Sequence, residues 1–233
     1  MAGHLRRVAQ RREPGRVLLE GPRVVREALK AGIRLELLAL REGETFEGEA
    51  ARTVLLSRGL FRDLSQTETP QGVLAVACAA LQPLEAARQA AAAARWPLVV
   101  LDGVQDPGNV GAVARTAAAA GAPALAVLPR TADPFGPKAV RASAGNVFRL
   151  VVAAATWPAL DGLRVVGASA RGGRPLEAAA LEEAEALVLG AEARGLSRDS
   201  LELVSLPMAD GVESLNVAAA AAILLYEIRR RRA

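Results

Sequence analysis

The sequence contains only one cysteine and one histidine, and this scarcity restricts the chemistry available to the chain. Cys78 cannot form a disulfide within the chain, and its place in the apolar run GVLAVACAA predicts a small buried core residue. A metal cluster of cysteine and histidine ligands is excluded on the same count, and no metal is expected. His4 belongs to an N-terminal segment that we expect to be mobile, so histidine-based acid–base or triad chemistry is not expected.

Long hydrophobic runs are also missing. The apolar run of residues 150–160 contains Pro158 and is far shorter than the roughly 20 residues that a membrane span needs. The opening residues, MAGHLRRVAQRREPGR, lack the apolar core of a secretory signal. Their arginines are compatible with an organelle transit peptide, which stays an alternative. These features predict a soluble, cytoplasmic protein whose 233 residues form one large domain or two small ones.

Charge is nearly balanced overall but uneven along the chain. The formal net charge is +4, whereas residues 1–34 carry nine Arg or Lys against three Glu. Such a basic segment suits a polyanion such as RNA, because arginines that bind its phosphates release counterions. A solvated arginine face is the alternative. The arginines that we expect to contact RNA are Arg6, Arg7, Arg11, Arg12, Arg23 and Arg26.

Alternating strand-like and helical segments predict an α/β fold in two parts. Residues 1–80 have the pattern of a small α/β domain, and the alanine-rich residues 81–96 predict a linker helix. In residues 97–233, short apolar runs separated by helical patterns predict a mostly parallel sheet with helices on both faces. Ligands of such sheets bind at the loops that follow the carboxyl ends of the strands. The runs are PLVVLD, PALAVL, LRVVGAS, EALVLG and LELVSL.

Three of these runs are followed by candidate site residues. In DPGNVGAVARTAAAAGA, Asn109 is a candidate helix N-cap, Gly121 a helix terminator, and Arg115 the only charge on the helix between them. We expect Arg115 to be partly buried, with either a structural ion pair or a functional anion as its partner. Glu192 in VLGAEARGLS is a weak signal by itself, because a glutamate after a strand often starts a helix.

The third segment, LPMADGVESLNVAAAAAILLYE, leads into a helix that is apolar on every side. Ser214 and Asn216 at its entrance suit N-caps, because their side-chain oxygens accept hydrogen bonds from unpaired backbone N–H groups. A role in a functional site is the alternative. A helix that is apolar all round predicts burial, either within the chain or against a second copy of it.

Together these three segments resemble the three motifs of the SpoU, or TrmH-like, family of RNA ribose 2′-O-methyltransferases in the SPOUT superfamily. The intervening GPKAVRASAGNVFRLVV is similar to family sequences as well, and the resemblance covers residues 98–229. The segments VLLEGPRVVREALKAG and QGVLAVA resemble the L30e-like substrate-binding domain that often precedes the family's methyltransferase domain. The resemblance implies a C-terminal domain with a deep trefoil knot, an S-adenosyl-L-methionine cofactor, an RNA substrate and a homodimer.

The resemblance also implies roles for individual residues. The methyl group of a sulfonium is already activated. The site therefore needs to align a ribose hydroxyl with that methyl group and to control the transfer of the hydroxyl proton. The family mechanism makes Arg115 a base. Since a guanidinium stays protonated, we expect Arg115 instead to hold an RNA phosphate opposite the 206–216 loop of the other copy. The implied catalytic residues are Asn109, Arg115, Glu192, Ser214 and Asn216, and the implied cofactor-binding residues are Gly190, Leu206, Met208 and Leu215.

The sequence leaves alternatives open. Ala118 and Ala218 depart from the family pattern, but neither departure removes an implied catalytic residue. We expect 23S ribosomal RNA as the substrate, with transfer RNA as the alternative. A non-catalytic RNA-binding or ribosome-assembly protein of the same fold is a rival. A dinucleotide-binding oxidoreductase is disfavoured, because no G-x-G-x-x-G motif follows a strand.

Overall fold

A computed structural model describes residues 2–10, 13–170, 172–191, 195–199 and 201–232 of the chain. Within these ranges, none of the helices has the length and apolar character that a membrane crossing requires. The described secondary structure is organised around two β-sheets, one in the N-terminal third and one in the remainder of the chain.

The first sheet has the strand order β1-β4-β2-β3 in the described part of the chain. Strand β4 lies antiparallel to both β1 and β2, whereas β2 and β3 are parallel. This alternation of strands and helices agrees with the α/β pattern predicted for residues 1–80, and helix α1 is an addition to it. The elements are α1 (Ala2–Ala9), β1 (Arg16–Glu20), α2 (Pro22–Lys30), β2 (Leu35–Arg41), β3 (Thr53–Leu56), α3 (Arg58–Leu64) and β4 (Val73–Cys78).

Two predictions about single residues in this part of the chain are wrong. His4 does not lie in a mobile segment but in α1, where Leu5 and Val8 are buried against the first sheet. The spacing of three residues puts both apolar side chains on one face of the helix, and this burial fixes it. Cys78 is exposed rather than buried, because it is the last residue of β4, beyond the covered part of the strand.

The second sheet is parallel throughout its described strands, in the order β7-β6-β5-β10-β8-β11-β9. It confirms the predicted α/β class and all five predicted strands, whereas β7 and β9 were not predicted. A knot stays a prediction. The elements are α4 (Leu84–Ala93), β5 (Leu98–Asp102), α5 (Pro107–Ala120), β6 (Ala124–Val127), α6 (Pro137–Ala142), β7 (Val151–Ala154), β8 (Val165–Ser169), β9 (Arg174–Pro175), β10 (Ala186–Gly190), β11 (Glu202–Ser205) and α7 (Val217–Arg232).

Helices cover both faces of the second sheet, as predicted. Side chains alternate along each strand, so Leu101 and Leu187 face one core while Val100 and Val188 face the other. Helices α5 and α7 contribute buried residues to the first of these cores, and α4 contributes to the second. Burial on both faces explains why the strands read as continuous apolar runs rather than as an alternation.

Helices α5 and α7 lie side by side and run in the same direction. At their starts, the side-chain Nδ2 of Asn216 donates to Oδ1 of Asn109 at 3.1 Å. At their ends, the guanidinium of Arg229 donates to the carbonyl of Ala120 at 3.1 Å. Helix α5 therefore places its first turn directly beside the entrance to α7, and both entrances lie at the same end of the sheet.

The cap of α5 differs from the prediction. Asp106, not Asn109, is the N-cap, because its carboxylate accepts a hydrogen bond from the backbone N–H of Gly108 at 3.1 Å. Pro107 occupies the first helical position, where its missing N–H costs nothing. Asn109 thus lies inside the first turn and its side chain is available for other contacts. The predicted terminator is confirmed, since Gly121 adopts a left-handed conformation with φ of 95°.

The two sheets are joined by a continuous set of buried apolar side chains. An ion pair crosses the junction, with the Arg149 guanidinium 2.8 Å from the Glu27 carboxylate. This contact and Lys30 hold the pKa of Glu27 below its usual range. Gly145 lies so close that an added Cβ would stand 3.0 Å from the Val24 carbonyl oxygen. Residues 1–80 are therefore packed against the rest of the chain rather than tethered to it.

Candidate active site

The loops after β10 and β11 and the start of α7 enclose a cleft at the carboxyl edge of the second sheet, which we call the apolar cleft. It has a free volume of about 90 Å³. Its lining is formed mainly by small and aliphatic residues from the ends of β8, β10 and β11 and from α7. All four predicted cofactor-binding residues line it, together with one predicted catalytic residue: Gly190, Leu206, Met208, Leu215 and Ser214.

The end of β10 has no room for a side chain. An added Cβ on Gly190 would lie 2.4 Å from the carbonyl carbon and oxygen of Gly195, which are backbone atoms and cannot swing away. The chain folds tightly here, because the N–H of Gly195 donates to the carbonyl of Ala191 at 2.7 Å. The N–H of Ala191 in turn donates to the carbonyl of Asp102 at 3.1 Å, which ties this loop to β5. Gly190 is therefore required by the loop geometry itself.

A second cleft, which we call the polar cleft, adjoins the first. It has a free volume of about 410 Å³ and shares Ala191, Gly195 and Val217 with the apolar cleft. Its remaining described lining comes from the end of β5, the start of α5 and the loops after β5, β6 and β10. These residues are Asp102, Gly103, Val104, Gln105, Asp106, Asn109, Arg130 and Ser197.

Asp102 organises the wall of the polar cleft, although the sequence analysis did not select it. The residue is 3% exposed and accepts hydrogen bonds from Ser197, at 2.6 Å from the backbone N–H and 2.9 Å from the hydroxyl. The Ser197 oxygen also accepts a hydrogen bond from the Trp157 indole at 2.8 Å. These bonds fix the loop after β10 against β5. An aspartate that ends a buried strand was the available signal, because a buried carboxylate needs partners.

Asp106 carries a second charge at the same cleft. The Lys138 ammonium lies 2.6 Å from its carboxylate. Lys138 and, to a smaller extent, the N–H of Gly108 hold the pKa of Asp106 below its usual range. Asp106 is therefore ionised near neutral pH, and its charge is balanced by a cation from α6.

Asn216 both caps α7 and contacts α5, so its predicted capping role is confirmed and its role in a site stays a prediction. Its Oδ1 accepts a hydrogen bond from the N–H of Ala218 at 2.9 Å, while its Nδ2 donates to Asn109 at 3.1 Å. Ser214 does not share the capping role, since its side chain forms no hydrogen bond with the described part of the chain. It lines the apolar cleft instead. Of the predicted catalytic residues, Ser214 thus lines the apolar cleft and Asn109 the polar cleft, and Asn216 lines neither but is bonded to Asn109.

Arg115 departs from the prediction of partial burial. It is exposed on α5 and makes no hydrogen bond or ion pair within the described residues. Neither cleft of the single chain includes Arg115 in its described lining. The helix around it is apolar because its other faces pack against the sheet, α6 and α7. The side chain itself points away from this core.

The predicted RNA-binding arginines in the described ranges are all exposed, but not all are unpaired. Arg7 is bound to Glu13 at 2.7 Å, and Arg26 stacks over the ring of Phe46 at 5.5 Å from its centroid. Arg6 and Arg23 form no ion pair with the described chain. Three further predicted site residues lie outside the described residues, namely Arg11, Arg12 and Glu192.

Comparison with known proteins identifies the family to which this arrangement of strands and loops belongs. The SpoU rRNA methylase family model matches residues 97–226, more than half of the chain. The chain belongs to the SpoU rRNA methylase family. It is an enzyme, an RNA methyltransferase. A second family model, the MRM3-like substrate binding domain, matches residues 3–75 of this family member.

Individual relatives of this SpoU family member match it over almost its whole length. The 23S rRNA (guanosine(2553)-2′-O)-methyltransferase RlmP of Bacillus subtilis is 34% identical, over 94% of this chain and 91% of the relative. The structure of the SpoU methyltransferase AviRb from Streptomyces viridochromogenes, in complex with AdoMet, superposes with a TM-score of 0.84. It is 25% identical and the match covers 99% of this chain and 97% of that one.

Another solved structure gives the same result. An AdoMet-bound rRNA methyltransferase from Sinorhizobium meliloti has a TM-score of 0.83 and 26% identity to this chain. The match covers 99% of this chain and 94% of the other. The resemblance inferred from the three sequence motifs is therefore confirmed at the level of family and fold.

Proposed function

We propose that this SpoU family member transfers a methyl group from S-adenosyl-L-methionine to a ribose 2′-hydroxyl of 23S ribosomal RNA. The proposal rests mainly on one observation. The loops after β5, β10 and β11, which are distant in the sequence, meet at two adjoining clefts on one edge of the sheet. The relative RlmP, which matches over most of both chains, is named for the same reaction on the same RNA.

The residues of the apolar cleft fit S-adenosyl-L-methionine. Leu206, Met208 and Leu215 offer apolar surfaces for a flat ring system, and the tightly folded loop at Gly190 presents backbone polar groups at the strand end. The free volume of about 90 Å³ is below the roughly 300–1,000 Å³ usual for small-molecule sites, so the loops need to spread on binding.

The proposed mechanism depends on positioning. When bound, the cofactor supplies a methyl group that is already activated by its sulfonium. Asn216 and Asn109, joined at 3.1 Å, orient polar groups at the boundary of the two clefts and hold the ribose hydroxyl in line. Arg115 binds an RNA phosphate and stabilises negative charge that develops on the attacking oxygen, because a guanidinium carries a positive charge and donates hydrogen bonds in a fixed geometry.

We infer that the active enzyme is a homodimer with shared sites. Helix α7 leaves an apolar face open, on which Ile223 is 43% and Tyr226 is 53% exposed. Arg115 and Ala119 are exposed on helix α5, which packs beside α7. A second copy that covers the open face of α7 through a two-fold axis would bring Arg115 towards the clefts of the other copy, which the geometry of a single chain does not do.

We propose that residues 1–80 form a substrate-binding domain and that its arginines contact the RNA backbone. Support comes from the exposed side chains of Arg6 and Arg23, which lack ion-pair partners within the described ranges, and from the match to a substrate binding domain. Arg23→Glu should weaken RNA binding with little change in cofactor affinity. Lys30→Glu on the same helix is a control, because Lys30 is paired with Glu27. Equal RNA affinities for the Arg23 variant and the wild type would contradict this role.

The proposed function is tested in cells by deleting the gene. Nucleosides of purified ribosomal and transfer RNA from the deleted and parent strains are compared by mass spectrometry. We expect one 2′-O-methylnucleoside to disappear from 23S ribosomal RNA and to return when the gene is restored. Loss from transfer RNA would assign the alternative substrate, and no loss from either RNA would contradict the proposal.

A further inference from the structure

Both carboxylates that line the polar cleft have partners, whereas its arginine has none among the described residues. Asp102 is satisfied by the two donors of Ser197, and Asp106 is paired with Lys138. Arg130, which lines the same cleft, is exposed and makes no hydrogen bond or ion pair with the described chain. A guanidinium with no partner of its own among the described residues is a local site for an anion.

The backbone of Arg130 has an unusual conformation. Its φ is 67°, a left-handed value that residues other than glycine, asparagine and aspartate seldom adopt. The neighbouring Thr131 fixes the turn, because its hydroxyl donates to the Leu101 carbonyl and accepts from the Gly103 N–H, each at 3.0 Å. The N–H of Ala132 also donates to the Val104 carbonyl at 2.9 Å. The turn after β6 is therefore attached to the loop after β5, and Arg130 is held at the cleft.

The two clefts differ in what they can bind. The apolar cleft lacks charged side chains in its described lining, whereas the polar cleft has about 410 Å³ of free volume and the amides of Gln105 and Asn109. The second volume falls within the roughly 300–1,000 Å³ usual for small-ligand sites and suits a nucleotide. Ala191, Gly195 and Val217 belong to both clefts, so their occupants would be in contact.

We propose that the polar cleft receives the nucleotide to be methylated and that Arg130 binds an RNA phosphate next to it. This inference rests on the proposed function, because it divides the two reactants between the two clefts. A planar guanidinium binds phosphate oxygens through two parallel hydrogen bonds, which fixes the register of the RNA strand as well as its affinity. Arg130 is then a specificity-determining residue that acts on substrate within one subunit, whereas Arg115 acts across the dimer.

The test compares Arg130→Gly with Arg95→Gly. Arg95 is a matched control because it is also exposed, has a φ of 54° and lines neither cleft. Glycine suits both backbone conformations, so each variant removes a guanidinium without strain. The probe is protein-free 23S ribosomal RNA from a strain that lacks the gene. We measure its binding and its methylation, and we measure S-adenosyl-L-methionine affinity by calorimetry.

For Arg130→Gly, we expect RNA affinity and kcat/KM to fall about 10- to 100-fold, as for the loss of a charged hydrogen-bonded contact. The slope of log affinity against log salt should also decrease by about one. Arg130→Lys should recover part of the loss, and cofactor affinity should not change. The Arg95→Gly variant should match the wild type throughout.

Other outcomes separate the two proposals. If the wild type methylates the RNA and Arg130→Gly binds and methylates it like Arg95→Gly, the assignment of the polar cleft is wrong while the proposed function stands. Weakened cofactor affinity with normal RNA affinity would assign Arg130 to the cofactor carboxylate and also overturn the inference. If the wild type binds RNA without methylating it, the proposed function fails, and equal RNA binding by both glycine variants would still refute the role of Arg130.

Discussion

In the proposed mechanism, the side chain of Asn216 serves both the fold and the chemistry. Its oxygen caps α7 and its amide nitrogen reaches Asn109 on α5. A capping interaction alone would be satisfied by serine, threonine or aspartate. Only a longer side chain with both a donor and an acceptor also reaches the neighbouring helix. The second contact therefore distinguishes a site residue from an ordinary cap.

This distinction can be measured with two substitutions. Asn216→Ser keeps a capping oxygen but is too short to reach Asn109, whereas Asn216→Ala removes both interactions. We expect both variants to lose about 100-fold in methyl transfer, because alignment of the hydroxyl is lost. Only Asn216→Ala should also lose about 0.5–2 kcal/mol of unfolding free energy. If Asn216→Ser retained wild-type turnover in a methylation assay, Asn216 would serve only as a helix cap.

At the residue scale, the sequence predicted which residues stand at strand ends and helix starts better than it predicted burial. Asn109 and Ser214 line the clefts, and Asn216 contacts Asn109, because all three stand at fixed positions around helix starts. The exposure of Arg115 was not predictable, because a helix rich in alanine does not reveal which face is open. Asp106 was recognisable as the N-cap, since Pro107 marks the first helical position.

At the scale of elements, the end of β10 is the most constrained part of the apolar cleft. Gly190→Ala would place a Cβ 2.4 Å from the backbone of Gly195, so the loop after β10 would have to move. We expect a loss of S-adenosyl-L-methionine binding, measured by calorimetry. Gly59→Ala is the control, because this exposed glycine of α3 has no atom within 4 Å of an added Cβ. It should be stabilised by roughly 0.5–1 kcal/mol. Unchanged cofactor affinity in Gly190→Ala would contradict the assignment of this loop.

The end of α7 makes a pH-dependent contribution to stability. Hydrogen bonds from Arg230 and Arg231 lower the pKa of Glu227 to about 2. Glu227 also aligns Arg231, which donates to the Leu176 carbonyl at 2.6 Å. Because the folded pKa is depressed, this stabilisation is complete above the ordinary glutamate pKa and is lost as pH falls towards 2.

We therefore expect Glu227→Gln to melt at a lower temperature than the wild type near neutral pH. The difference in melting temperature should stay constant down to about pH 5 and narrow as the solution becomes more acidic. Thermal denaturation of both proteins across this range provides the measurement. If the difference in melting temperature widened in acid, the prediction that ionised Glu227 stabilises the fold would be contradicted.

The same elements show where sequence patterns are informative. Strands β5, β10 and β11 were predictable, because long apolar runs between turn residues suit buried parallel strands. Strand β9 has only two residues, too few for a pattern. Strand β7 lies in an apolar run that continues to Trp157 and Pro158, so its end was not marked. Helix α1 was missed because its arginines dominate a short segment with two buried apolar side chains.

At the scale of the whole molecule, the exposed position of Arg115 requires a second copy for the proposed mechanism. Mixing inactive Arg115→Ala with inactive Leu215→Glu tests this directly. In mixed dimers, the intact cleft of the first variant would receive Arg115 from the second. After full subunit exchange, about a quarter of wild-type activity should return, because half of the dimers are mixed and each has one working site. If exchange is verified and activity does not recover, each site is built from one chain.

The central claim is that this SpoU family member methylates a ribose hydroxyl, and the position of the new methyl group tests it most directly. Purified protein is incubated with S-adenosyl-L-methionine that carries a labelled methyl group and with 23S ribosomal RNA from cells lacking the gene. The RNA is then hydrolysed in alkali, which cleaves beside a free 2′-hydroxyl but not beside a methylated one. We predict that the label appears in a single alkali-resistant dinucleotide. Label in mononucleotides would indicate base methylation and, like the absence of label, would contradict the account.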